Sequence, residues 1–447
     1  MTRIAALRAD ARACLGAALA AVDPSRLVRA VLGRHAGALA LGRRDPRDAA
    51  AGRPCGGHAG PVLIVGAGKA ALAMARGAAG VAAHARGLVI VPHGAVGEPP
   101  PGIAVRHAAH PVPDEAGVAA TRDLVARVTA AGPETVVLVL LSGGASALLV
   151  APAEGVSLAD KQAVTRALLD AGADIAELNA VRKHCSAVKG GGLARAAAGA
   201  AGCWTLALSD VVGDDPSVIA SGPTVADPST WADARAVLER RLEPAAVPSA
   251  IRSRIAAGCE GRLPDTAKPG APEVDRVCLR VVGNNRTAVA AAAAEASRRG
   301  YDAVVCAVPI SGDAAVAGRA LAARLSALPR DRPVALIAGG EPAVRVVPGG
   351  QGGRAQHLAL AAALALAGEP VALLAAGTDG VDGPTTAAGA CVDGSTSARA
   401  RTAGLDPEAA LAATDSHRLL AASRDLLPGG PTGTNVADLV VAVRGAC

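Results

Sequence analysis

Hydrophobic and polar positions alternate along this chain in blocks that predict strands and helices in turn. Short apolar runs at 62–65, 136–141 and 203–208 are each followed by a turn rich in glycine or acidic residues. Helical patterns follow several of these turns. Buried parallel strands read as continuous apolar runs, and repeated strand–turn–helix units form a mostly parallel sheet covered by helices. We therefore predict an α/β fold.

A stretch rich in Pro, Arg and Gly, residues 244–272, interrupts this alternation with weak periodicity. A second set of strand and helix patterns begins with the apolar run 277–282. We predict two α/β/α domains with mostly parallel sheets. The N-terminal Rossmann-like domain covers residues 1–245, a connector covers residues 246–275, and the C-terminal α/β domain covers residues 276–447.

Composition narrows the classes of function. The 447 residues suffice for two or three domains, and the longest apolar runs fall far short of the ~20 residues that a membrane helix needs. The net charge of +6 is spread along the chain, and no row of aromatic residues is present for base stacking. We expect neither nucleic-acid nor membrane binding. Asp10 interrupts the first apolar segment, so we expect no signal peptide and a cytoplasmic location.

Two glycine-rich turns follow predicted strands in the first half of the chain. Backbone N–H groups at a helix N-terminus attract anions, and a lysine within the turn can neutralise a transferring phosphoryl group. The spacing does not fit the G-x-x-x-x-G-K-[ST] motif, and an ordinary turn with a solvated lysine is an equal alternative. The residues of these turns are Gly66, Gly68, Lys69, Ser142, Gly143, Gly144 and Ser146.

Charged residues cluster at three further places. Arg182 and Lys189 are seven residues apart and can share one face of a helix near a glycine triplet; a solvated cationic face is an equal alternative. Asp210 opens an acidic loop after a predicted strand, where ligands of α/β sheets bind. Arg354 follows Gly353 at a predicted helix start, which suits a carboxylate or phosphate clamp. Asp379 lies in an acidic, glycine-rich turn that suits metal or hydroxyl binding, although an ordinary acidic turn is equally good.

Nine motifs in order resemble the MOFRL-type glycerate 2-kinase family over nearly the whole chain. They are GAGKA at 66–70, LLSGGASALL at 140–149, LNAVRKHCSAVKGG at 178–191, SDVVGDDPSVIASGPT at 209–224, GNN at 283–285, GGE at 339–341, GGRAQ at 352–356, GTDGVDGPT at 377–385 and GPTGTNVADL at 430–439. The resemblance implies a kinase that uses ATP and Mg²⁺ to phosphorylate D-glycerate at its 2-hydroxyl. It also implies an active site in a cleft between the two domains.

The resemblance also implies roles for individual residues. Lys69 and Arg354 would contact the substrate and the transferring phosphate. Asp210, Glu341 and Asp379 occupy the family's acidic positions as candidate metal ligands, and Asp210 is in addition the candidate base. The expected partners are D-glycerate and ATP, with a homodimer as an open alternative to a monomer. The candidate substrate- and nucleotide-binding residues are Gly66, Gly68, Ser142, Gly143, Gly144, Ser146, Arg182, Lys189, Asn284, Gly340, Gly353, Thr378 and Asn435.

The chain departs from the family pattern at four positions, and these departures bear on substrate preference more than on reaction class. The family usually has Asn, Glu, Asp and Asn where this chain has Ala355, His357, Thr386 and Ala437. The competing function is an NAD(P)H-dependent hydroxypyruvate reductase, because GAGKAALAMA superficially resembles a dinucleotide turn. Against it, Ala71 replaces the third glycine and no acidic residue ends the strand predicted at 88–92. A sugar-acid sensor without chemistry is a third alternative.

Overall fold

The computed structural model describes residues 3–35, 38–41, 57–82 and 84–446. Its strands are β1 Leu32–His35, β2 Ala38–Leu41, β3 Val62–Ala67, β4 Arg86–Pro92, β5 Ile103–Ala108, β6 Val136–Leu141, β7 Gly202–Leu208, β8 Val277–Gly283, β9 Asp302–Val305, β10 Val334–Gly340, β11 Val371–Gly377, β12 Ala387–Asp393, β13 Leu426–Pro428 and β14 Asp438–Arg444. Its α-helices are α1 Arg3–Ala21, α2 Pro24–Val31, α3 Ala71–Ala79, α4 Glu115–Thr129, α5 Ala145–Leu148, α6 Leu158–Asp170, α7 Ile175–His184, α8 Gly192–Ala196, α9 Trp231–Arg241, α10 Ser249–Cys259, α11 Pro272–Asp275, α12 Asn285–Arg298, α13 Ala314–Ala327, α14 Arg354–Ala365, α15 Thr396–Thr402, α16 Pro407–Ala412 and α17 Ser416–Ala422.

The chain divides into two compact units. The terminal unit consists of Met1–Asp23 and Gly283–Cys447, and the central unit consists of Pro24–Val282. The predicted segments do not coincide with these units, because α1 packs on α12 and on strands β11 and β14 of the terminal unit. Helix α1 buries an apolar stripe that includes Leu7 and Cys14, and a sequence pattern does not say which element covers such a stripe.

The central unit is built on a six-stranded sheet in the order β5-β4-β3-β6-β7-β8. Strands β3 to β7 pair in parallel, as predicted. Alternate residues of these strands, among them Val65, Ile90 and Val139, pack with Leu124 and Val128 of α4 in one apolar cluster. A second cluster joins residues of α6, α7, α9 and α10. The parallel direction brings the carboxyl ends of β3, β6 and β7 to one edge of the sheet.

The terminal unit contains a second six-stranded sheet, in the order β13-β12-β11-β14-β10-β9. The α/β class is confirmed here as well, but the predicted mostly parallel arrangement is wrong for this sheet. Only β9 and β10 are parallel, and the pairs β10–β14, β11–β14, β11–β12 and β12–β13 are antiparallel. The reason is topological: β14 enters between β10 and β11 from the edge where those two strands end. An apolar run carries no information about the direction of its neighbours.

Helices cover both faces of the terminal sheet. Val334, Leu336 and Ala338 of β10 belong to an apolar cluster that includes residues of α13 and α14. The intervening Ala335 and Ile337 are also fully buried, and α12 contacts this strand. Both sets of alternating residues are therefore core. Among the residues described, no helix has the length and apolar character that crossing a membrane requires.

Candidate active site

Two neighbouring turns of the central unit are joined by hydrogen bonds. Strands β3 and β6 pair in register up to Ala67 and Leu141, so the turns after them lie side by side. The Lys69 N–H donates to the carbonyl oxygen of Gly143 at 2.9 Å, and the buried Ser142 hydroxyl accepts a hydrogen bond from the Ala70 N–H at 3.0 Å. The start of the Lys69 side chain is thereby fixed.

Gly68 is required at this contact. Its φ is +130°, a value that favours glycine, and a Cβ atom there would lie 2.1 Å from the Ser142 hydroxyl oxygen. The structure thus brings Gly66, Gly68 and Lys69 together with the 142–144 turn. The ligand-binding roles of these residues stay a prediction.

Arg182 and Lys189 converge on the next turn of the chain. The Lys189 ammonium donates to the carbonyl oxygen of Ser146 at 2.9 Å, and an Arg182 Nη2 lies 3.4 Å from the same oxygen. The Ser146 hydroxyl lies 3.1 Å from that of Ser221, which in turn donates to the Asn179 side-chain oxygen at 3.1 Å. The buried Lys189 and the partly buried Arg182 therefore lie beside the 142–146 turn and do not form a solvated face.

This concentration of buried positive charge changes the acidity of the lysine. Burial, with added repulsion from Arg182, Lys161 and Lys183, lowers the pKa of Lys189 well below its usual range. Burial also lowers the pKa of Arg182. Among the described residues no carboxylate hydrogen-bonds to either cation. A bound anion would relieve this repulsion, so the pair is a good candidate for holding phosphate groups.

Asp210 stands just beyond the end of β7, at the sheet edge that also carries the Lys69 turn, and is half-buried. Its neighbours in the loop serve local structure. The Asp215 carboxylate accepts a hydrogen bond from the Ser217 N–H at 2.8 Å, and Asp214 has a φ of +58°. Asp215 thus stabilises the turn, while the role of Asp210 stays a prediction.

The terminal unit brings a second group together through strand register. Asp438, the first residue of β14, is paired with Gly340 at the end of β10 and with Gly377 at the end of β11. Gly340 has a φ of +149°, and a Cβ atom there would lie 2.2 Å from the carbonyl oxygen of Ile310. A nearly buried carboxylate therefore lies between two strand ends at the predicted ligand-binding edge.

Arg354, the first residue of α14, is held by two carboxylates. Its Nε lies 2.7 Å from Asp438 Oδ2 and its Nη2 lies 3.0 Å from Asp438 Oδ1. Its Nη1 lies 2.6 Å from Glu341 Oε1. Although burial lowers the pKa of Arg354, the two carboxylates more than offset it and the pKa is raised. The guanidinium is a permanently charged and well-oriented group.

The start of α14 is anchored by a further acid. The buried Asp382 carboxylate accepts hydrogen bonds from the backbone N–H groups of Ala355 and Gln356, at 3.0 and 2.8 Å, and from the Gln356 side chain. Burial raises the pKa of Asp382, and these hydrogen bonds offset part of the rise. Gly353 is needed for packing, since a Cβ atom there would lie 2.2 Å from Asp382.

Other predicted residues make contacts that also shape the backbone. Asn284 caps α12 by accepting a hydrogen bond from the Thr287 N–H at 3.0 Å. The Thr378 hydroxyl donates to the carbonyl oxygen of Ala437 at 2.6 Å. Asp379 accepts a hydrogen bond from the Val381 N–H at 3.1 Å. Asn435 is buried. Their ligand-binding roles stay predictions.

Sequence reasoning missed Asp438 as a site residue and β14 as a strand. The five apolar residues 439–443 directly after a polar loop were the available signal, since β-branched apolar runs favour strands. What the sequence does not reveal is that this strand lies at the centre of its sheet. Its position is what places Asp438 against Arg354.

Comparisons with known proteins agree with the resemblance. Residues 10–256 match a domain of unknown function, DUF4147, and residues 334–438 match the MOFRL family. A glycerate 2-kinase of Pyrococcus horikoshii is 38% identical over 86% of this chain and 87% of its own length. The chain belongs to the glycerate kinase family. The crystal structure of glycerate kinase from Thermotoga maritima has a TM-score of 0.81 and 37% identity, covering 98% of this chain and 99% of that one.

Two of the relatives have a different name. A protein of Agrobacterium vitis is 42% identical over 90% of this chain and 91% of its own length, and its name, hydroxypyruvate reductase, is provisional. The Rossmann signature of a reductase includes an acid at the end of the second strand. Here that strand, β4, ends at Pro92 and is followed by His93. The kinase interpretation is therefore favoured.

The departures from the family pattern fall around α14 and β14. Ala355 is buried against Asp382. His357 is nearly buried, its Nδ1 has no hydrogen-bond partner among the described residues, and burial lowers its pKa. Thr386 is exposed. Ala437 has a φ of +65°, a region where Asn is favoured over Ala.

We expect Ala437→Gly to stabilise the protein by about 0.5–1 kcal/mol, because glycine removes the strain of a left-handed alanine. The matched change Ala442→Gly, in the regular part of the adjoining strand β14, should destabilise by a similar amount. Urea unfolding of both variants measures the difference. Equal destabilisation by the two changes would contradict the assigned backbone strain.

The Asp438 carboxyl predicts a pH dependence of stability. Burial raises its pKa to about 7, even though Arg354 lowers it. Between pH ~4 and ~7 the folded chain holds a proton that an unfolded aspartate has released, so the free energy of unfolding falls as the pH rises. We expect Asp438→Asn to remove this fall, so its Tm relative to the native protein should increase from pH 4.5 to 7.5. The measurement is made without divalent metal. If the Tm values of the variant and the native protein changed in parallel over this pH range, the prediction would be wrong.

Proposed function

We propose that this chain transfers the γ-phosphoryl group of ATP to the 2-hydroxyl of D-glycerate, giving 2-phosphoglycerate and ADP. The observation that carries the proposal is Lys69, fixed by backbone hydrogen bonds in a glycine turn against the 142–144 turn, in a member of the glycerate kinase family. Phosphoryl transfer needs positioning and neutralisation of charge more than covalent chemistry from the protein. A lysine on a rigid turn can supply both.

In the central unit, the backbone N–H groups of the 142–146 turn would bind phosphate oxygens of ATP. Lys69 would neutralise the charge that develops on the transferring group. Arg182 and Lys189 hold this turn through the Ser146 carbonyl oxygen and add positive potential. Asp210 would accept the proton of the 2-hydroxyl.

In the terminal unit, Arg354 would bind the glycerate carboxylate through its guanidinium. Asp438 and Glu341 hold the guanidinium plane in one orientation, which favours planar recognition of a carboxylate. Asp382 fixes the backbone from which Arg354 projects. Thr378 holds the Ala437 carbonyl oxygen and thereby the start of β14.

Asp210, Glu341 and Asp379 have the oxygen chemistry that Mg²⁺ prefers. In the part of the chain that the structure describes, no group of three or more His, Cys, Asp and Glu side chains is arranged to hold a metal. Mg²⁺ usually takes one or two protein carboxylates together with substrate phosphates, so single carboxylates of this set fit an ion that arrives with ATP. When bound, Mg²⁺ neutralises phosphate charge.

ATP as donor and a cytoplasmic location are part of this proposal, and a homodimer is the open alternative to a monomer.

A coupled assay tests the reaction. We expect ADP to form with ATP, Mg²⁺ and D-glycerate, and phosphorus NMR to show the phosphate at carbon 2. The same preparation should not oxidise NADH or NADPH in the presence of hydroxypyruvate. Reduction of hydroxypyruvate without ADP formation would reverse the assignment, and a 3-phosphoglycerate product would overturn the regiochemistry alone.

A further inference from the structure

The central unit contains a cavity of about 130 Å³ with an unusually cationic wall, roughly the volume of four water molecules. It lies between the segment 183–192 and residues of α9, α10 and the loop 264–266. Among the described residues that line it, Asp265 is the only carboxylate. The basic side chains of the wall are those of Lys183, His184, Lys189, Arg195 and Arg254.

Nearby carboxylates pair with only some of the basic side chains of this wall. Lys183 pairs with the buried Asp227 at 3.1 Å. Asp265 serves two groups, since it lies 2.8 Å from His184 Nε2 and 2.9 Å from the Lys268 ammonium. The other ring nitrogen of His184 lies 2.7 Å from a backbone carbonyl oxygen. Both ring nitrogens of His184 therefore already lie beside acceptors within the protein.

Arg195 pairs with Glu273, which lies outside the wall, at 3.2 Å. Lys189 and Arg254 form no ion pair with a carboxylate within the described part of the chain. Lys189 donates to two backbone carbonyl oxygens, and Arg254 donates to those of His184 and Glu154. The buried indole Nε1 of Trp231, another wall residue, has no hydrogen-bond partner. Buried charge without a counter-charge is costly, and a buried donor without an acceptor adds to that cost. An anion in the cavity would satisfy both.

We propose that this cavity binds a small tetrahedral oxyanion of the size of inorganic phosphate, at a place separate from the Lys69 turn and from Arg354. Lys189 connects the cavity with the 142–146 turn, because its ammonium donates to the Ser146 carbonyl oxygen. An anion that contacts Lys189 in the cavity would therefore influence the position of the 142–146 turn. The proposal goes beyond the kinase reaction and does not depend on it.

Calorimetric titration of the full chain with inorganic phosphate tests the site. We expect Arg254→Gln to weaken binding roughly tenfold or more, as loss of a charge-assisted hydrogen bond does. Arg252→Gln, on the same helix but outside the wall, should leave the affinity unchanged. Lys69→Ala should leave it unchanged as well. Binding that is lost in Lys69→Ala and kept in Arg254→Gln would overturn the proposal, and so would an absence of binding to the native chain at millimolar phosphate.

A second variant and a second readout keep the test independent of folding defects. Arg195 is exposed and lines the same wall, so Arg195→Gln should also weaken phosphate binding if Arg254→Gln does not fold. Sulfate has the same tetrahedral shape as phosphate and should compete with it for the cavity. Titration of phosphate into the sulfate-saturated chain measures this competition, and an unchanged phosphate affinity would count against the site. Phosphate binding by a chain that does not phosphorylate glycerate would refute the kinase proposal alone.

Discussion

Replacing Lys69 with alanine should lower kcat/KM for D-glycerate by about 10³-fold while leaving the fold intact. A cation placed at a transferring phosphoryl group is typically worth several powers of ten in rate. The fold should survive because Lys69 contributes its backbone N–H to the Gly143 hydrogen bond, and alanine keeps that group. The coupled ADP assay and the Tm of the variant measure the two expectations.

The matched control for this change is Arg76→Gln. Arg76 is an exposed cation on α3, and its guanidinium donates to the Glu98 carbonyl oxygen. Its loss should change kcat/KM by less than about threefold, since exposed contacts of this kind are weak. A Lys69→Ala protein with native Tm and native turnover would remove Lys69 from the mechanism.

Replacing Arg354 with lysine should lower kcat/KM for D-glycerate by about 10²-fold or more, although the charge is kept. The Arg354 guanidinium reaches both oxygens of Asp438 and one of Glu341. A lysine ammonium presents a point charge that does not reproduce this planar set of contacts. Separate titrations of D-glycerate and ATP should show the larger change for D-glycerate.

Arg345→Lys is the corresponding control. Arg345 is exposed in the segment between β10 and α14, and its conversion to lysine should leave both kinetic constants within about twofold. If Arg354→Lys raised KM for ATP and left that for D-glycerate unchanged, Arg354 would belong to the nucleotide side of the reaction. The carboxylate-binding role would then be wrong.

The sequence predicts local elements well and sheet arrangement poorly. The strands over 136–141 and 203–208 lie where the pattern predicts them, because apolar runs and turns are local properties. The direction of β14 and the packing of α1 on the terminal unit depend on contacts between distant residues. These are set by which pairing buries the most apolar surface, and no short pattern encodes that.

The same distinction applies to the candidate site. Lys69 and Arg354 stand beside glycine-rich turns that are evident in the sequence. The structure places Lys69 two residues before α3 and Arg354 as the first residue of α14. The orientation of Arg354 depends on Asp438, which is 84 positions away along the chain. The buried Lys189 ammonium contacts the carbonyl oxygens of Ser146 and Ala220, which are 43 and 31 positions away along the chain. Sequence spacing thus identifies candidate site residues, but it does not identify the distant residues that orient them.

The central position of β14 has a consequence for synthesis of the protein on the ribosome. Strands β10 and β11 flank β14, so neither can complete its pairing before residues 438–444 have left the exit tunnel. Arg354 has only Glu341 as its ion-pair partner until that moment. A chain stalled earlier would present two open strand edges, which are sites for aggregation and for chaperone capture. The terminal unit can therefore hold Arg354 between its two carboxylates only after residues 438–444 have been translated.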